Sequence, residues 1–154
     1  MKLIGIGIIS FCCFAFGSGY AMSEKYRLNV ICEVEKLLRY MIHQIDVYRQ
    51  NMTDIFITFE SDILDNCGFS QGLSKNWEEA VKVIDCPDII KRELINLGVG
   101  LGMKDAKEQV ECCRRCLAII EDYTAEEKRK LPSKMKIHVC LGITVGIVIF
   151  IMGI

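Results

Sequence analysis

The sequence predicts an all-α protein: an antiparallel helical bundle flanked by two transmembrane helices. Three observations predict it. The stretch from Leu3 to Met22 is twenty residues without a charged side chain, and Ile137 to Ile154 is eighteen more, interrupted only by His138. Between these ends, apolar residues recur at steps of three and four, the period of a helix with one buried face. No run of strand length alternates apolar and polar residues, and no Asn-Gly hairpin turn occurs.

The ends come first, because they set the domain organisation. A helix rises ~1.5 Å per residue and the hydrocarbon core is ~30 Å thick, so roughly twenty apolar residues span a bilayer. Residues 3–22 and 137–154 are therefore expected to be membrane spans, with residues 23–136 forming the domain between them. Burial of the Ile, Val, Phe and Leu side chains of the second segment outweighs the cost of one neutral imidazole near the interface. A cleaved signal peptide is the alternative for the first segment, since Gly17, Gly19 and Ala21 are small. Its apolar stretch is longer than the ~7 to 15 residues usual for a signal sequence, and its basic start is Lys2 alone.

Charge sets the orientation. All twenty acidic residues and eighteen of the nineteen Lys and Arg lie between Ser23 and Lys136. Lys25 and Arg27 follow the first span, and Lys128, Arg129, Lys130, Lys134 and Lys136 precede the second. The positive-inside rule then places the middle domain in the cytoplasm. A net charge of −1 with both signs interspersed leaves no basic footprint for nucleic acid.

Within the domain, Ser23 is a plausible N-cap and Glu24 suits the positive end of a helix dipole. Leu28, Ile31, Val34, Leu38, Met41, Ile45 and Tyr48 then mark one face of a long helix. A second helix is expected from Thr53 and Asp54, carrying Ile55, Phe56 and Phe59 and ending at Asn66, Cys67 and Gly68. After a loop through Gln71 and Gly72, Ser74 caps a third helix with Trp77, Ala80, Val81 and Ile84. Pro87 opens a fourth, with Ile89, Ile90, Leu94 and Leu97, which Gly98 terminates. The last soluble helix starts at Asp105 and shows a seam of Ala106, Val110, Cys113, Leu117 and Ile120. That seam matches the first helix in period and length, so the two should pack antiparallel. Pro132 marks the passage to the terminal span and can kink it.

The segment Leu97-Gly98-Val99-Gly100-Leu101-Gly102-Met103-Lys104-Asp105, followed by Gln109, resembles the signature of the stage III sporulation protein AB family. The layout agrees over nearly the whole chain: an N-terminal span, a long charged helix, a segment around Trp77, the glycine turn, a long helix and a terminal span. That family is similar to the helical cytoplasmic domain of type II secretion F-type inner-membrane platform proteins. The resemblance implies a scaffold without catalysis or cofactor in the channel joining mother cell and forespore, in the mother-cell membrane that faces the forespore. Its implied partners are other stage III sporulation channel subunits, notably a secretion-type ATPase, with membrane lipid around the spans and no nucleic acid or small-molecule substrate. Leu97, Gly98, Leu101, Gly102, Asp105 and Gln109 are the candidate docking turn. The abundance of Cys departs from the family pattern.

The remaining motifs have plainer readings. Glycines at 98, 100 and 102 fit neither the dinucleotide nor the P-loop spacing, and no Lys-Ser or Lys-Thr follows. Cys112, Cys113 and Cys116 have the spacing of half a zinc site, but the second half would have to come from Cys32, Cys67, Cys86 or His43. Reduced thiols packed as small hydrophobes are the expectation. His43 lacks the partners of a catalytic device and reads as an ordinary polar neighbour of the first helix. Trp77 is expected to anchor the core. Gly142 and Gly146, four apart in the last span, permit close helix packing with the first span, a second copy or another channel subunit.

Overall fold

The computed structural model describes the backbone of residues 2–101 and 105–153; side chains are described from residue 22 to 137, except 102–104, and at scattered positions outside that range. Among the described residues every regular element is helical. The elements are α1 (Lys2–His43), α2 (Met52–Thr58), α3 (Asp62–Asn66), α4 (Phe69–Leu73), α5 (Trp77–Val83), α6 (Asp88–Gly100) and α7 (Ala106–Gly153), with a π-helical turn from Gln44 to Tyr48 closing α1. Two compact units result. One is Met1–Tyr26 with Glu126–Ile154, and the other is Arg27–Ala125.

The inner unit is built on the predicted pair. Ile31, Val34, Leu38, Met41 and Ile45 of α1 and its closing turn are buried, as are Val110, Cys113 and Ile120 of α7. Arg39 Nη2 meets Glu121 Oε1 at 2.6 Å, and Arg114 Nη2 meets Asp46 Oδ2 at 3.3 Å. Moving seven residues forward along α1 thus matches seven backward along α7, which is an antiparallel register of two turns. Tyr48 departs from the expected seam and is 62% exposed. The cause is local. The wider i→i+5 turn shifts the phase of the helix, and Arg49 then ends it in the left-handed region at φ 51, ψ 35, its N–H donating to the Gln44 carbonyl.

Between these two helices, the chain divides more finely than the sequence suggests. The expected helix from Thr53 to Asn66 is two helices, broken where Phe59 and Ser61 are extended. Phe59 turns to pack on Tyr40, ring centres 5.5 Å apart, and the Ser61 hydroxyl accepts from Leu64 N–H to cap α3. The loop expected through Gln71 and Gly72 is instead α4. Asn76, not Ser74, caps α5: its Oδ1 accepts from Glu79 N–H at 2.8 Å. Pro87 precedes the first residue of α6, Asp88, as expected.

In the outer unit α7 continues through Pro132. Glu126 pairs with Lys130 at 2.6 Å, and Glu127 pairs with Lys134 at 2.6 Å. Ile137, Leu141, Ile143, Val145, Ile147, Val148 and Ile151 are exposed. Among the described residues no helix is long and apolar enough to cross a membrane. The side chains of 3–14, 16–18 and 21, and of 138, 146, 149–150 and 152–154, lie outside that description.

Candidate functional site

The candidate docking turn begins where α6 meets Trp77. Leu97 is buried in the core, 5% exposed. Gly98 was expected to end α6, but the helix runs on to Gly100 and Leu101 is its extended cap, with Leu101 N–H donating to the Gly98 carbonyl at 3.2 Å. Gly98 has a different reason to be glycine. A Cβ built there would lie 2.2 Å from Trp77 Cδ1, so the indole rests directly on bare backbone.

Trp77 is half-buried and held by several neighbours. Its Nε1–H donates to the Leu94 carbonyl at 2.6 Å. Phe56 stacks on it at 5.5 Å and Phe69 meets it edge-on at 6.1 Å. The helix that carries it is held equally closely, since a Cβ on Gly72 of α4 would come within 2.6 Å of the Ala80 Cα. This second close approach gave no sequence signal beyond the glycine itself.

On the other side of the turn, Asp105 is exposed and immediately precedes α7, with its carbonyl accepting from Gln109 N–H at 3.0 Å. A carboxylate at that position favours the helix dipole. Gln109 is half-buried and Leu101 packs at the edge of the core. Gly102 lies outside the described residues. The turn therefore joins a rigid buried shoulder, Leu97 and Gly98 against Trp77, to an exposed acidic helix start.

The cysteines separate by burial. Cys113 and Cys116 are buried, and burial pushes both thiols up to about 12, while burial pushes Cys86 up to about 11. Thiols held neutral in this way are poor nucleophiles and poor metal ligands at neutral pH. Cys112 is half-buried beside Arg115, Nη2 to Sγ 3.6 Å. Among the described residues no group of three or more His, Cys, Asp and Glu is arranged to hold a metal ion. His43 packs edge-on to Tyr48, centres 5.7 Å apart. Gly142 is half-buried on α7. Gly146 lies outside the residues whose side-chain surroundings are described.

Comparison with known proteins points one way. No curated protein and no solved structure matches the chain. The family model of stage III sporulation protein AB matches residues 2–154. The chain therefore belongs to the stage III sporulation protein AB family, and its role lies in sporulation.

Proposed function

We propose that the protein is a non-enzymatic scaffold of the mother-cell-to-forespore channel, anchored by spans 3–22 and 137–154 in the mother-cell membrane facing the forespore. Its domain, residues 23–136, faces the cytoplasm and docks a secretion-type ATPase through the turn from Leu97 to Gln109. The observation that carries this reading is the antiparallel pairing of α1 with α7, fixed by Arg39 with Glu121 and Arg114 with Asp46. It brings residues 27 and 125 out of the same end of the bundle, as a domain tethered by two helices to one membrane face requires. The exposed apolar residues from Ile137 to Ile151 suit lipid, and the Lys and Arg of 128–136 suit the cytoplasmic face.

The test is sidedness. A cysteine placed at exposed Lys107 by Lys107→Cys, treated with a membrane-impermeant thiol reagent, should react only after lysis. Reaction in intact cells would put the domain on the exported side and end the ATPase reading. With sidedness settled, Asp105→Ala should weaken ATPase association about tenfold while leaving helicity intact, because loss of one exposed interfacial charge costs about 1.4 kcal/mol at such an affinity change. Unchanged association would remove the turn as the docking site.

A further inference from the structure

From Gln50 to Ser74 the chain carries Asp54, Glu60, Asp62 and Asp65 and no Lys or Arg. None of these four carboxylates is in an ion pair among the described residues. Asp65 accepts a hydrogen bond from the Ser70 hydroxyl. The next cation along the chain, Lys75, acts on Glu79. Elsewhere on the inner unit, Glu33, Glu35, Asp46, Glu78, Glu79, Asp85 and Glu121 each have a cation within 4 Å. The stretch from Gln50 to Ser74, which includes α2 and α3, is thus acidic with no cation of its own to offset it.

The same stretch builds an open groove of about 480 Å³. Phe56, Ile57, Leu73 and Trp77 wall it, with Ser70 and Ser74 at the rim. Ile57 is 74% exposed at its edge, an apolar side chain without cover. The opposite wall is rigid. Trp77 is held by the Leu94 carbonyl and the bare backbone of Gly98, and Leu73 follows the Gly72 contact with Ala80. A preformed apolar wall lowers the ordering cost of receiving a side chain.

We propose that this groove receives a basic amphipathic helix from a partner protein, with large apolar anchors between Ile57 and Trp77 and Lys or Arg over Asp54, Glu60 and Asp62. Apolar grooves recognise amphipathic helices by anchors three and four residues apart, and unneutralised flanking charge selects the opposite sign. The acidic stretch that builds the groove argues against the other occupants. An anionic bilayer is repelled by it, and a second copy docked face to face would set carboxylate against carboxylate. The proposal goes beyond the docking turn and does not depend on the ATPase or on the membrane topology.

Trp77 is the single tryptophan of the chain, so the groove carries its own reporter. The full chain in uncharged detergent is titrated with a tryptophan-free amphipathic peptide of leucine and lysine, and with its counterpart in which glutamate replaces lysine. The basic peptide should shift Trp77 emission saturably and the acidic one should not. Ile57→Ser, at an exposed site that leaves the fold intact, should weaken binding about tenfold. Asp54→Asn combined with Glu60→Gln and Asp62→Asn should weaken it severalfold and flatten its salt dependence. An absent shift, an equal response to the acidic peptide, or undiminished binding in both variants would overturn the proposal. A shift produced by raising protein concentration alone, or by anionic vesicles alone, would assign the face to a second copy or to lipid and overturn it equally.

Discussion

The α1/α7 pair and the block of short helices from Met52 to Gly100 reach the same end, a closed apolar core, by opposite means. In the pair, long helices bury side chains that recur along one face: Ile31, Val34, Leu38 and Met41 against Val110, Cys113 and Ile120. In the block, α2 to α5, of five or seven residues each, are too short to form alone, and close approaches at bare backbone add to their buried side chains. Gly72 admits Ala80 and Gly98 admits Trp77. The first design tolerates changes of side chain and depends on apolar volume. The second depends also on the absence of a Cβ at each of two positions.

Truncating the seam should have the largest effect. Leu38 is fully buried, and Leu38→Ala should destabilise the domain by about 3 kcal/mol through lost burial and the cavity left behind. Chemical denaturation followed by far-ultraviolet circular dichroism and by Trp77 emission should show both signals moving together. Gly98→Val should come next, at about 2 kcal/mol, because the indole is wedged by Phe56, Phe69 and the Leu94 carbonyl and cannot retreat from the new Cβ. Here Trp77 emission should change before helicity falls. Coincident loss of the two signals in Gly98→Val would mean that the block and the pair are one cooperative unit, and the contrast drawn between them would fail.

Alkaline pH separates the regions by chemistry. Cys113 and Cys116, on α7, are raised to about 12 by burial, whereas an exposed thiol ionises near 9. A group with a raised folded pKa contributes stability that is fully present below its unfolded value. The unfolded chain loses these protons first as pH rises, so stability should fall progressively from pH 9 toward about 12. Cys113→Ala should reduce the slope of the midpoint against pH over that window, and an unchanged slope would show that those thiols are not buried as described.

The smallest effect should be a gain. Thr124 is 2% exposed and its hydroxyl has no hydrogen-bond partner among the described residues. Thr124→Val keeps the shape and removes the orphaned group, so it should stabilise the pair by about 1 kcal/mol. A loss on the same scale would reveal a polar partner for that hydroxyl and sharpen where the seam ceases to be apolar.

Legibility followed the same division. The faces of α1 and α7, their antiparallel pairing and the stop at Pro87 were readable, because periodicity and proline act through the chain's own backbone. Tyr48 was misplaced because a π-helical turn leaves no pattern of its own. The break between α2 and α3 escaped for a related reason: Phe59 leaves the helix to reach Tyr40, nineteen positions earlier in the chain. Of the candidate turn, Leu97, Gly98, Leu101, Asp105 and Gln109 could be placed, yet the purpose of Gly98 was not visible. The acidic run beside the groove was written in the sequence, but its apolar wall was not.

By itself, then, the sequence determined the helical class, the two apolar ends, the long seam and, through the spacing of Leu-Gly, Leu-Gly, Asp and Gln, the family. Each of these depends on neighbours a few residues apart, where local geometry dictates which side chains share a face. Only the tertiary structure decided that Gly98 exists for Trp77, that Gly72 exists for Ala80, and that Phe56, Ile57 and Leu73 join Trp77 around one groove. Those contacts join residues distant along the chain, and close packing distinguishes them by fractions of an ångström that no sequence pattern encodes.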